Sequence, residues 1–195
     1  LKAEAEIAST LNNLGGVLAM TGRFDRAVRV LSLTLNLKRS LGDIGEIART
    51  LNNLGYLHSM LGRKDTAIAS LSESLELNRR IGNQKEILFN LDNLAAVIIG
   101  AGRLKDSLPL LREGLGISRE LRDTPHQVIF GRNLSVVLRR MGRIGEAVEQ
   151  QNAAEKMMSG VDDREEEIRL LVNAASLRAV VGDNSGALQF ARSAA

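Results

Sequence analysis

The stretch Leu11-Asn-Asn-Leu-Gly15 decides the fold, because it returns along the chain at a fixed spacing of 40 residues. It recurs unchanged as Leu51-Asn-Asn-Leu-Gly55, and in altered form as Leu91-Asp-Asn-Leu-Ala95 and from positions 131 and 171. A constant period between 20 and 50 residues is typical of proteins that stack repeated units around one continuous core. The sequence therefore predicts five repeats. A second marker keeps the same period: Gly22, Gly62, Gly102, Gly142 and Gly182.

Each repeat carries the apolar spacing of two helices. In the first repeat, apolar residues recur at three- and four-residue steps up to Gly22, and glycine accepts the left-handed conformation common at helix ends. A second such run ends at Gly42, and Asp43 is the expected N-cap of the next helix. We expect ten helices in five antiparallel pairs. The predicted repeats are 3–42, 43–82, 83–122, 123–162 and a truncated 163–195.

The later repeats depart from this pattern. Pro109 falls within a predicted second helix, where proline removes a backbone donor, so we expect a kink or irregular turn there. Thr124 precedes Pro125 and is the expected cap of the next helix. Asp162-Asp163 should open the fifth repeat, because acidic residues favour a helix N-terminus. The missing initial Met and capping helix suggest a fragment of a longer chain, whose exposed ends could associate end to end.

Composition disfavours several classes of protein. Aromatic residues make up only 3% of the chain, which is typical of helices packed on helices. A net charge of +3 is too small for the basic footprint of a nucleic-acid-binding protein. The absence of cysteine excludes disulfides and thiolate metal sites. No apolar run is long enough to span a membrane, and the first residues do not resemble a signal peptide. We expect a cytoplasmic protein that binds neither nucleic acid nor membrane.

The residues that recur every 40 positions resemble a tetratricopeptide repeat. The family pattern of a large residue, Leu-Gly, another large residue, a turn glycine and a small alanine falls on Leu11, Leu14-Gly15, Leu18, Gly22 and Ala27. The period of 40 exceeds the usual length of about 34 and is similar to that of bacterial STAND-type regulators, Pins/LGN-type adaptors and kinesin light chain. The resemblance implies an all-α fold, a right-handed α-solenoid of five stacked antiparallel helix pairs, forming one domain over 1–195.

The resemblance also implies where a partner would bind. In this family the first helix of each pair lines a concave groove, and a side-chain amide, with two donors and an acceptor oxygen, can hold a peptide backbone. The chain is thus predicted to be a protein–protein interaction scaffold that binds a peptide or protein segment. Alternatively each asparagine sets the stacking of helices, the reading we prefer for Asn173. The predicted groove asparagines are Asn12, Asn13, Asn52, Asn53, Asn93 and Asn133.

Arginines and one tyrosine complete the predicted site. Residues that occur once in groove-facing positions would discriminate between partners. Three arginines instead recur every 40 residues near the ends of second helices, where they complement the helix dipole or, as the alternative, anchor acidic groups of a partner. The single-copy candidates are Arg49, Tyr56, Arg132, Arg139 and Arg140. The periodic ones are Arg39, Arg79 and Arg119.

Catalysis is not indicated. His58 and His126 lie far apart in the sequence, and the chain contains no phosphate-binding loop, metal-ligand spacing or nucleophile motif. We therefore expect no enzymatic activity, cofactor or metal, and we expect His58 to be a packed, hydrogen-bonded residue. The alternative function is a sensor module of a multidomain transcription regulator that binds a small effector or its own ATPase domain.

Overall fold

The computed structural model describes residues 2–158 and 161–182, and the regular secondary structure in those ranges is entirely α-helical. The second helix predicted for the fifth repeat lies outside the described residues. Consecutive helices are joined by turns of a few residues. The described helices are α1 (Lys2–Met20), α2 (Phe24–Leu41), α3 (Ile44–Met60), α4 (Lys64–Ile81), α5 (Gln84–Gly100), α6 (Leu104–Glu120), α7 (Thr124–Arg140), α8 (Ile144–Met158) and α9 (Arg164–Val180).

Side-chain caps begin the first helix of most repeats. The Asp43 carboxylate accepts a hydrogen bond of 3.0 Å from the Glu46 amide, which confirms the predicted cap. The predicted cap at Thr124 is wrong, because Asp123 caps α7 by accepting from the His126 amide at 3.1 Å. An acidic side chain one residue earlier both accepts this bond and complements the helix dipole.

Proline does not interrupt α6. The helix runs from Leu104 to Glu120 with Pro109 inside it, so the expected irregular turn is not present. Pro109 and Lys105, whose carbonyl loses its helical partner, are both exposed. Water can bond to that carbonyl, which lowers the cost of the missing backbone donor.

The chain divides into two compact units, of which unit 1 comprises residues 1–101. In unit 1 each second helix packs between two first helices. Gly55 lets α3 and α4 approach closely, since a Cβ on Gly55 would lie 2.5 Å from Leu71 Cγ. This is the small-residue contact that the Leu-Gly motif predicts. One core cluster of this unit contains Ala27, Leu31, Leu35, Leu51, Leu54 and Leu57.

Unit 2 comprises residues 102–195 and is described here over α6 to α9. Val128, Ala154 and Leu170 form one buried cluster, and Leu138, Ala147 and Leu177 form another. Phe130 is fully buried and packs where Gly114 leaves space. The organisation of residues 1–195 as a single domain stays a prediction.

Candidate protein-binding surface

Two neighbouring first helices of unit 1 present one continuous exposed face. The side-chain oxygen Oδ1 of Asn52 joins α3 to α5, because it accepts hydrogen bonds from Asn90 Nδ2 at 2.8 Å and from Asn93 Nδ2 at 3.1 Å. Residues three, four and seven apart share a face of a helix. On this basis the α3–α5 surface consists of Arg49, Asn53, Tyr56 and Met60 from α3 with Phe89, Asn93 and Ala96 from α5.

Large apolar side chains are exposed on the α3–α5 surface. Tyr56 is 47% exposed, Met60 50% and Phe89 51%. Tyr56 was predicted from the sequence, whereas Phe89 was missed because its counterparts 40 residues away are Arg49 and Ile129. Exposed apolar residues that share one face indicate a contact surface more strongly than the same residues scattered singly.

The repeated asparagines differ in their contacts. Asn13 is exposed and Asn53 is half-buried, and neither side chain makes a hydrogen bond to another residue in the described part of the chain. Asn93 donates to Asn52. Asn133 is half-buried, while Asn173 is buried and donates to Ser135 Oγ at 3.0 Å and to Gln151 Oε1 at 2.7 Å. The amides open to a partner are thus those of Asn13 and Asn53.

The first seam is the interior contact of Lys38 with Asn12, Glu46 and Thr50. Lys38 is almost fully buried, and its Nζ lies 2.7 Å from Glu46 Oε2, 2.9 Å from Thr50 Oγ1 and 3.5 Å from Asn12 Oδ1. Burial alone would raise the pKa of Glu46, but hydrogen bonds from Lys38 and Arg49 hold that pKa below its usual value. Asn12, a predicted groove residue, therefore belongs to an interior ion cluster.

The second seam is the equivalent interior contact one repeat later, where side-chain amides take the place of the charged groups. Asn90 is fully buried; its Oδ1 accepts from Asn78 Nδ2 at 2.6 Å, and its Nδ2 donates to Ser74 Oγ at 2.9 Å. The same Nδ2 donates to Asn52, so Asn52 closes this network from the α3 side. Buried amides that find partners rigidify a core, and those left unpaired destabilise it. The contacts of Asn52 are thus structural.

Unit 2 contains a further buried ion pair. Arg132 forms two hydrogen bonds to the carboxylate of Glu166, from Nε at 2.5 Å and from an Nη at 3.1 Å. The pair joins α7 to α9, and Glu166 also donates its backbone amide to the Asp163 cap at 3.0 Å. Sequence reasoning predicted Arg132 as a groove residue but missed Glu166, whose partner becomes visible only when the helices are placed.

The remaining predicted arginines lie in varied surroundings. Arg49 on the α3–α5 surface is paired with Glu46. Arg39 bonds to Glu73 at 2.6 Å, and both side chains are about half exposed. Arg139 is half-buried with an Nε that has no partner among the described residues, and Arg140 is exposed. Arg79 and Arg119 are exposed near the ends of α4 and α6.

His58 is half-buried in α3, but its Nδ1 has no hydrogen-bond partner among the described residues, so the expected hydrogen-bonded histidine is wrong. Burial, with a smaller effect of the Arg63 charge, lowers the pKa of His58. No group of three or more His, Asp or Glu side chains that could hold a metal ion occurs within residues 2–158 and 161–182. None of the helices described here is long and apolar enough to cross a membrane.

Comparison with protein-family models identifies part of the chain. Residues 6–80 match the tetratricopeptide repeat model. These residues form a tetratricopeptide repeat segment. They contain the first seam and most of α4. No curated protein matches the sequence.

Solved structures share the fold over nearly the whole chain. BtubC (BKLC) from P. vanneervenii is 14% identical with a TM-score of 0.82, over 99% of this chain and 87% of that one. A putative kinesin light chain with nearly identical TPR-like repeats from Podosopora anserina is 13% identical with a TM-score of 0.82, over 100% and 95%. A Rap protein complexed with Competence and Sporulation Factor is 12% identical with a TM-score of 0.78, over 94% and 52%. These similarities establish an α-solenoid of tetratricopeptide-like repeats.

Proposed function

We propose that the chain is a protein–protein interaction scaffold whose α3–α5 surface holds a segment of another polypeptide. The observation that carries this proposal is the side-chain amide of Asn53, which has no hydrogen-bond partner in the described part of the chain and lies one turn from the exposed ring of Tyr56. An amide in this position can both donate to and accept from a peptide backbone. Tetratricopeptide repeats are an interaction fold, and a structurally similar Rap protein was solved with a bound factor.

The two kinds of asparagine separate binding from stability. Asn53→Ala removes an amide without an internal partner, so we expect weaker peptide binding and an unchanged free energy of unfolding. Asn52→Ala leaves the buried Asn90 without one of its acceptors and should destabilise the fold by roughly 1–3 kcal/mol. Asn36→Ala is the matched control, because Asn36 is an exposed asparagine on the second helix α2.

The test selects 12-residue peptides from a phage-displayed random library on the wild-type chain. Affinity of the best binder is then measured by fluorescence polarisation, and stability by urea unfolding followed by circular dichroism. Loss of binding in Asn53→Ala, with normal stability and full binding in Asn36→Ala, supports the proposal. Equal affinity of the wild type, Asn53→Ala and Asn36→Ala for the selected peptide overturns the proposal. An Asn53→Ala protein as unstable as Asn52→Ala also overturns it.

A further inference from the structure

The exposed aromatic side chains of the described chain are concentrated on one surface. Tyr56 and Phe89 are about half exposed, whereas Phe24 is half-buried and Phe130 is fully buried. Both exposed rings lie on the α3–α5 surface, on helices that the Asn52 and Asn93 side chains join directly. Aromatic rings supply large contact areas with little loss of conformational freedom, and they are enriched among the residues that dominate binding energy.

The α3–α5 surface is bordered on α5 by charges of both signs, because Lys85 and Asp92 lie four residues before and three residues after Phe89. Asn53 and Asn93 carry no charge, and the Arg49 guanidinium is paired with Glu46 on the same helix. A partner carboxylate at Arg49 would therefore compete with an existing ion pair. The periodic Arg39, Arg79 and Arg119 lie on second helices and so do not add a cation to this surface.

We infer that the α3–α5 surface selects a peptide by bulky apolar side chains, which pack against Tyr56 and Phe89 while Asn53 bonds the peptide backbone between them. This inference rests on the proposed function and specifies its ligand as a segment with two aromatic or large aliphatic residues and no acidic requirement. Met60 widens the apolar contact beside Tyr56. Ala96 stands where the previous repeat has Tyr56, and its small side chain adds apolar surface with little bulk.

The selected phage peptides test this chemistry directly. We expect enrichment of sequences with two large apolar residues. We expect an affinity loss of about tenfold or more for Tyr56→Ala and for Phe89→Ala, as is common for aromatic residues at the centre of an interface. Tyr56→Phe keeps the ring and should retain most of the affinity. Because both side chains are half exposed, these variants should fold, which circular dichroism verifies.

Leu33→Ala is the matched control for general hydrophobicity. Leu33 is 62% exposed, more than either ring, but it lies on the second helix α2. We expect its removal to change affinity less than twofold.

The outcomes separate this inference from the proposed function. Acidic peptides that lose binding in Asn53→Ala but not in Tyr56→Ala or Phe89→Ala would overturn the apolar selection and leave the scaffold proposal standing. Equal losses in Leu33→Ala and Tyr56→Ala would also overturn it, since the contact would then be non-specific. Failure to enrich any peptide, or binders indifferent to every substitution, would overturn both.

Discussion

The ring of Phe130 occupies the space that a side chain on Gly114 would need. A Cβ on Gly114 would lie 2.3 Å from Phe130 Cζ and 2.4 Å from Phe130 Cε1, far inside van der Waals contact. A large residue on α7 is thus matched by a missing side chain on α6. The pairs at the same positions of the other described repeats are Thr34 with Thr50, Ser74 with Asn90, and Ala154 with Leu170.

Gly114→Ala should destabilise the fold. The ring of Phe130 is fully buried and must shift to admit the new methyl group, and overpacking of this kind costs roughly 1–3 kcal/mol. Gly116→Ala is a matched control in the same helix, because a Cβ there meets no atom within 4 Å. It should stabilise the helix by up to about 1 kcal/mol, since alanine is the better helix former.

Urea unfolding at one pH measures both changes. Gly114→Ala combined with Phe130→Leu should recover part of the lost stability, because leucine leaves more room beside the new methyl group. If Gly114→Ala and Gly116→Ala change stability in the same direction, the close contact between Gly114 and Phe130 does not determine the effect of the substitution at residue 114.

The periodic features were predictable from the sequence, and the seam contacts were not. Helix pairs, turn glycines and the Asp43 cap follow from local rules that repeat every 40 residues. The residue at the position of Lys38 changes instead to Asn78, Ser118 and Met158 in the following repeats. Because this set has no period, its partners emerge only when the helices are packed. Phe89 was missed for the same reason, since no other repeat has an aromatic residue there.

Acid should weaken the first seam through Glu46. The pKa of Glu46 is lower in the folded protein than its usual value of 4.5, so the unfolded chain takes up its proton first as pH falls. The resulting stability is fully present above that usual value and is lost as pH falls through the lower folded pKa. Glu46→Gln removes the ionisable group, so its stability should vary less with pH in this acidic range.

Urea unfolding between about pH 3 and 6 measures this profile. The free energy of unfolding should change less across this range in Glu46→Gln than in the wild type. Identical profiles of the two proteins would show that Lys38 does not stabilise the ionised form of Glu46.

His58→Leu should raise stability and remove a pH dependence near neutrality. Burial and the Arg63 charge lower the pKa of His58, so the unfolded chain is protonated first as pH falls below 6.5 and the fold loses stability. The buried Nδ1 also has no partner among the described residues, whereas the same position holds buried Ile98 and Leu138 in later repeats.

Thermal unfolding of the wild type and His58→Leu at pH 5 and pH 8 measures this effect. The variant should have the higher midpoint at both pH values, and its advantage should be larger at pH 5. If the midpoint of His58→Leu changes between pH 5 and pH 8 as much as that of the wild type, the pH dependence comes from other groups. A lower midpoint at pH 8 would mean that the imidazole packs better than an aliphatic side chain.

The Arg132–Glu166 pair should act on stability and not on peptide binding. Their side chains are only 14% and 3% exposed, so Arg132→Met leaves a buried carboxylate without its bidentate partner and should cost roughly 3–5 kcal/mol. Arg169 Nη1 lies 3.8 Å from Oε2 of this carboxylate and can compensate only in part. Replacing both partners, as Arg132→Met with Glu166→Leu, removes both charges together and should cost much less.

A double-mutant cycle by urea unfolding gives the coupling between Arg132 and Glu166. Affinity for the selected peptide, measured under conditions where every variant is folded, separates the two roles proposed for Arg132. A stable Arg132→Met protein with weakened binding would return Arg132 to the peptide-binding site, where the sequence pattern first predicted it. Strong coupling with unchanged binding would assign Arg132 to the joining of α7 and α9, because the buried carboxylate of Glu166 and not a peptide would then hold its guanidinium.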